Sequence, residues 1–234
     1  MGAGKDTLAE EICHCFPRYS VRKFASKLRE AISIILSIPV EKTFSDADKQ
    51  RDLSNLEWTV ANFVAVLQQS IKAVTGVTDN IETAELFAKK LTKADLPVDT
   101  AAIVRLVPGT TVGRLLQVVG TECFREVIGP DVWVDALMKS WELEGRPPII
   151  IADTRFPNET VAIWRAGGVI IQVCRTVNER ADGRSVNHIS EHALDGEDAD
   201  TVLNNDGSVA DLGAGFLFSW GSLLRIAARR ARSR

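Results

Sequence analysis

Positive charge is not in excess in this sequence: 28 Lys and Arg stand against 31 Asp and Glu, for a net charge of −3. A chain without a basic surplus is a poor general binder of nucleic acid. The arginines crowded at its end, Arg225, Arg229, Arg230, Arg232 and Arg234, read as solvated last turns of a helix, where the dipole favours cations. A signal peptide and an apolar run of membrane length are both lacking, so no membrane partner is expected. The four cysteines, Cys13, Cys15, Cys123 and Cys174, form no C-x-x-C pair and sit in apolar periodic segments. They point to buried free thiols in a reducing, cytoplasmic compartment. Cys13-His14-Cys15 imitates a metal trio, but alternate residues on a helix point about 200° apart, so the two sulfurs cannot converge on one ion. Repeats and low-complexity tracts are absent too. What remains is 234 residues, 45% hydrophobic and 25% charged, enough for one α/β domain with an inserted helical piece or for two small domains.

The most informative stretch is the first. Gly2-Ala-Gly4-Lys5-Asp6-Thr7 runs into Leu8-Ala-Glu-Glu-Ile12, the second half of the phosphate-loop pattern G-x-x-x-x-G-K-[ST] followed by a helix. Glycines let backbone N–H groups curl round a polyphosphate, the helix adds its positive end, and Lys5 reaches the transferred phosphate. Asp6 stands where a hydroxyl usually ligates magnesium; a carboxylate can hold the same ion. Counted back from Gly4, the first glycine of the pattern falls one residue before Met1, and the strand that feeds the loop is not in the sequence. The expectation is therefore either a start upstream of Met1 or a weakened nucleotide site. A glycine-rich tail capping an ordinary helix is the plain alternative.

Further on, apolar spacing predicts a helix over 6–16, a strand over 19–24, a helix over 25–38, irregular chain over 40–56, and helices over 57–75 and 81–93. Helices follow over 110–128 and 132–141, then the unbroken apolar strand 148–153. A helix over 158–166, strands over 168–175 and 200–204, and a helix over 209–231 complete the chain. Strands separated by helices imply an α/β fold with a doubly wound parallel sheet. Its core is expected over 1–56 and 110–234, with 57–109 a helical insertion on its side.

Chemistry on such a sheet falls at the carboxyl ends of the strands. Asp153 sits where a carboxylate would orient Mg²⁺, or else caps the next helix. Arg155, two residues on, is an anion clamp or the partner of a surface ion pair with Glu159. Arg114, Gln117, Thr121 and Arg125 recur at spacings of three and four opposite Leu115, Val119 and Phe124. That stripe is either a substrate-facing wall or a solvated face.

These pieces occur together in an order: Gly4-Lys-Asp-Thr7, Phe24-Ala25, Arg114-Leu-Leu-Gln117, Gly120-Thr-Glu122, Arg125, Gly129, Trp133, Ile151-Ala-Asp-Thr-Arg-Phe-Pro-Asn-Glu159, His188-Ile-Ser-Glu191 and Asn204-Asn-Asp-Gly-Ser208. The chain resembles the viral, bacteriophage-type deoxynucleoside monophosphate kinases, nearly end to end apart from its start and residues 57–109. The resemblance implies a P-loop kinase fold and transfer of the γ-phosphate of ATP to a deoxynucleoside monophosphate, with Mg²⁺, in the host cytoplasm, for DNA precursor synthesis. It implies that Gly2, Gly4, Lys5, Asp6 and Thr7 hold the donor phosphates, with Asp6 and Asp153 at the metal. It places Phe24, Arg114, Gln117, Thr121, Arg125, Trp133 and Arg155 around the acceptor. Arg175, with Arg180 and Arg184, belongs to a lid over 176–192, or to an exposed charged loop. Asn205 and Gly207 fall where related kinases hold the donor adenine, though Asn-Asp-Gly is also a plain turn. Trp133 is a stacking surface or simply core. A phosphate oxygen is already a nucleophile, so the chemistry is positioning and charge neutralisation, and His188 orders the lid base rather than moving a proton. Small nucleotides are the expected partners, with a homodimer admitted. The rivals are a kinase of another small phosphorylated metabolite, of dephospho-coenzyme A or phosphomevalonate type, and a nucleotide-binding protein without catalysis.

Overall fold

The computed structural model describes residues 4–43, 45–175 and 199–232. The chain divides into two compact units, one of residues 1–23 and 141–234, the other of residues 24–140.

In the first unit, α1 (Lys5–Cys15) leads to β1 (Ser20–Arg22), and the chain returns far later as β4 (Ile149–Ile151). These two strands pair in parallel, Ser20 opposite Ile149 and Arg22 opposite Ile151. A second parallel pair joins β5 (Ile171–Cys174) to β6 (Thr201–Asn204). Helix α8 (Pro157–Arg165) connects β4 to β5, and α9 (Val209–Arg232) follows β6. Leu8 and Ile12 of α1 meet Leu212, Phe216 and Leu223 of α9 and Val173 and Leu203 of the strands in one apolar core. Phe16 stacks on Trp220 at its margin, 4.8 Å between centroids.

The second unit is built on helices. Helices α2 (Ala25–Leu36), α4 (Val60–Thr75) and α5 (Ile81–Thr92) pack in succession, and α5 packs on a long π-helical segment, Val118–Ile128, that continues α6 (Val112–Gln117). Phe63, Leu67, Phe87, Leu115, Val119 and Phe124 are fully buried here. Thr59 and Thr111 start α4 and α6 by accepting the N–H groups of Asn62 and Arg114, each at 3.2 Å. Helix α7 (Val132–Leu143) carries the chain back to the first unit.

Several expectations change. The one doubly wound sheet is, among the described residues, three separate pairs of strands of three or four residues. Among the described residues β4 has a single hydrogen-bonded neighbour, and its three isoleucines are half-buried where full burial was expected. Residues 40–56 are not wholly irregular: a 3-10 turn (Val40–Thr43) and α3 (Asp46–Lys49) form there. The stretch 57–109 is not purely helical, because β2 (Glu57–Thr59) pairs antiparallel with β3 (Ile103–Arg105), and an ion pair joins Glu57 to Arg105 across them. Helical spacing at 57–75 hid β2, whose Trp58 packs on Phe63 of the helix that follows it. Of the cysteines only Cys123 is fully buried; Cys15, at the end of α1, lies beyond the buried stripe Leu8, Ala9 and Ile12 and is exposed. Burial pushes the Cys123 thiol up to about 12, so it stays protonated and inert. No helix among the described residues is long and apolar enough to cross a membrane.

The arginine-rich end is also not simply solvated. Arg230 grips both oxygens of Asp200 at 2.7 Å and donates to the Gly168 carbonyl at 3.0 Å, while its guanidinium lies 5.3 Å over the Trp164 ring. Asp200 further accepts the Trp164 indole N–H and the Ile170 amide. Burial alone would raise the Asp200 carboxyl, but Arg230 and the two N–H donors outweigh it and hold it below its ordinary value. A carboxyl depressed in the folded state stabilises above the ordinary carboxylate range and loses that stabilisation as pH falls through its folded value. Asp200→Asn is thus expected to lose about 2 to 3 kcal/mol at neutral pH. Denaturant melts of both proteins should converge as the pH is lowered below 4 or so.

Candidate active site

Gly4 opens α1 in the left-handed region, at φ 97°, and its carbonyl accepts the Leu8 amide to begin the helix. A side chain there would be strained, and it would also collide: a Cβ on Gly4 would lie 2.1 Å from Nδ2 of Asn205. The loop glycine and the residue after β6 are therefore in direct apposition, within the first unit. Asn205 is itself buried, its amide N–H donating to the Cys174 carbonyl at 2.7 Å. Lys5 is the first residue of α1 and is exposed; Thr7 is half-buried one turn in.

Asp6, on the exposed side of the same turn, meets Lys23 Nζ at 2.5 Å. Lys23 was not singled out from the sequence; its place at the end of β1, just before Phe24-Ala25, is the signal that could have found it. Mg²⁺ asks for hard oxygen donors and takes one or two carboxylates, completing its shell with phosphate and water. Asp6 is exposed and supplies such oxygens, and with Lys23 on Oδ1 its Oδ2 is the oxygen left for a metal. Among the described residues no cluster of three possible ligands exists.

At the end of β4, Ala152 N–H reaches back to the Arg22 carbonyl at 3.3 Å, and the chain leaves the sheet. Asp153 is half-buried and Arg155 exposed in the loop that follows. Pro157 is the first residue of α8. Glu159 turns back from the first turn, and its Oε2 accepts the backbone N–H groups of Arg155 at 2.7 Å and Phe156 at 3.1 Å. Arg175 follows β5, half-buried. Asn205-Asp206-Gly207 leads into α9, where Ser208 and Asp211 close a reciprocal cap: Asp211 accepts the Ser208 N–H at 2.9 Å and hydroxyl at 2.7 Å. These bonds from Ser208 hold the Asp211 carboxyl below its ordinary value. A Cβ on Gly207 would fall 2.7 Å from an Asp211 oxygen, so this glycine makes room for the cap.

Apart from Arg155, which belongs to the first unit, the expected acceptor residues fall in the second unit. Arg114 and Gln117 are exposed on α6, with 3.5 Å between guanidinium and amide oxygen. Arg114 also meets Glu122 at 3.4 Å, and Glu122 is gripped by Lys93 at 2.7 Å. Lys93 first, helped by Arg114, depresses the Glu122 carboxyl, against the opposing effect of burial. Thr121 is half-buried on the π-helix. Arg125 donates to the Pro130 carbonyl at 2.8 Å, at the loop that ends the π-helix. Phe24, at 3% exposed, and Trp133, at 4%, are core residues. The Trp133 indole N–H donates to the Gly120 carbonyl and its ring lies 4.7 Å from Phe124, so core packing describes it. Gly120 is small for a reason, since a Cβ would touch Leu28 at 3.0 Å. Gly2, Arg180, Arg184, His188 and the 176–192 segment lie outside the described residues.

A family model described as deoxynucleotide monophosphate kinase matches residues 2–215. The chain belongs to the deoxynucleotide monophosphate kinase family. It is similar to the deoxynucleotide monophosphate kinase of Enterobacteria phage T4, 25% identical over 228 residues, covering 90% of this chain and 91% of that protein. The matched span runs across residues of both units.

The contact of Gly4 with Asn205 yields a test. Gly4→Ala is expected to destabilise by about 1 to 2 kcal/mol from its backbone conformation alone, before any steric term. Asn205→Ala removes the colliding amide, so in thermal melts the double variant should be less destabilised than the sum of the two single changes.

Proposed function

We propose that this chain transfers the γ-phosphate of ATP to a deoxynucleoside monophosphate in the host cytoplasm, giving the diphosphate for DNA synthesis. The observation that carries the proposal is Gly4, left-handed at the start of α1 with Lys5 beside it, in a chain of this kinase family. The two parallel pairs, β1–β4 and β5–β6, are then parts of one doubly wound P-loop kinase sheet.

On this reading Lys5 meets the donor's β- and γ-phosphates, and the amides opening α1, with Thr7, hold their oxygens. Lys23 brings a second ammonium group to the same turn through Asp6. Asp6 and Asp153 are the carboxylates that would hold Mg²⁺, which when bound would supply charge neutralisation. Arg155 clamps the acceptor phosphate, its planar fork matching two oxygens at once. Gln117 offers its amide to the acceptor base, with Arg114 beside it on α6 and Thr121 around the same nucleotide. Arg175 adds positive charge past β5, and Asn205 and Gly207 flank the adenine. No general base is required, because the attacking phosphate oxygen is already ionised.

A coupled ADP-release assay over all nucleoside monophosphates tests the activity; release with none of them leaves a nucleotide-binding protein instead. In that assay Lys5→Ala should cut turnover roughly 100- to 1,000-fold with the melting temperature unchanged. Unaltered turnover would remove Lys5 from the chemistry.

Arg155→Lys keeps the charge and loses the fork. The Michaelis constant for the monophosphate should rise roughly tenfold or more, with that for ATP nearly constant. Equal effects on both substrates would place Arg155 elsewhere.

A further inference from the structure

Glu159 is 2% exposed, among the most deeply buried charged side chains described. Taking a carboxylate out of water is costly, and here the cost is met by charge-assisted bonds and by the positive end of α8. The direction of those bonds is informative. A glutamate at the third helical position ordinarily reaches back to the N-cap amide, where the N-cap side chain returns a bond. Here the N-cap is Phe156, whose ring can accept nothing in return. Pro157 at the next position has no N–H at all. One carboxylate oxygen instead takes two consecutive amides, that of Phe156 at 3.1 Å and that of Arg155 at 2.7 Å. The shorter bond goes to the residue lying outside the helix.

This grip fixes the peptide plane from which the Arg155 side chain departs. The Arg155 side chain is long and exposed, so a small rotation of its backbone swings the guanidinium by a much larger distance. Misplacement of a binding group by about 1 Å can cost roughly a hundredfold in rate. We propose that Glu159 is a positioning residue for the acceptor phosphate, acting through the Arg155 backbone amide. The proposal rests on Arg155 as the phosphate clamp, and the two can fail separately.

The experiment measures equilibrium binding of each common deoxynucleoside monophosphate by titration calorimetry, with ATP binding and melting temperature alongside. Four proteins are compared: the unaltered chain, Glu159→Gln, Arg155→Ala and the double variant. Glu159→Gln keeps the shape and weakens both bonds; it should raise the monophosphate Kd roughly tenfold and leave the ATP Kd within about twofold. The double variant should bind the monophosphate no worse than Arg155→Ala alone, because the effect passes through that side chain. Multiplying losses, equal weakening of both ligands, or a lowered melting temperature with unchanged binding would overturn the proposal. If Arg155→Ala leaves the monophosphate Kd unchanged, the clamp itself is wrong and the proposal falls with it. If Arg155→Ala weakens binding and Glu159→Gln does not, only the positioning role is lost. Should Glu159→Gln fail to fold, Glu159→Asp, with its charge kept and its reach shortened, carries the same comparison.

Discussion

The pairing of β1 with β4 is the constraint on which the rest of the architecture depends. Ser20 and Ile149 stand opposite each other although more than half the chain lies between them. Closing so long a loop costs only slightly more than closing one of half the length, since the entropy grows logarithmically. A three-residue parallel pair cannot meet that cost by its hydrogen bonds alone. The second unit makes the closure affordable, because residues 24–140 bury their own core and return the chain as folded helix. At the carboxyl ends of the pair lie Lys23 and the Ala152–Phe156 loop. The placement of Asp153 and Arg155 in the first unit therefore depends on six strand residues being held in register.

Much of this order was readable in the residues. Ile149-Ile-Ile151 read as a strand and Gly4-Lys5 before an amphipathic run read as a helix start, and both form. Thr110 to Ile128 reads as helix because apolar residues recur at helical spacing. The change at Val118 from α to π hydrogen bonding left no mark on that spacing, since Val119, Cys123 and Phe124 serve either ladder. β2 and β3 were hidden for a different reason. Three-residue strands have no periodicity to detect, and their pairing is a non-local fact.

Within the candidate site, residue type was legible and partnership was not. Arg155 and Glu159 invited an ion pair by their spacing, and the carboxylate in fact takes backbone amides of the loop. Trp133 offered a ring for stacking, and its indole N–H turned inward to Gly120. Arg230 looked like one more solvated cation, and it holds a carboxylate thirty positions away. In each case the deciding partner is a backbone group or a distant side chain, and a linear pattern carries neither.

The acidic balance of the chain poses a physical problem for a protein proposed to gather two polyanions. A net charge of −3 repels phosphates at long range unless the carboxylates are spoken for locally. The described structure commits a number of them. Glu159, Asp200 and Asp211 accept backbone amides, and Asp52 accepts the Ser54 hydroxyl and then its amide, which hold its carboxyl low. Glu122, Glu126, Glu144 and Asp6 each face an ammonium or guanidinium group within 3 Å. A carboxylate paired with a cation has its charge offset locally, and salt screens exposed charges beyond about 10 Å at ordinary ionic strength. The partial positive charge at the start of α1 then acts at short range, where binding is decided, and the formal charge governs only the approach.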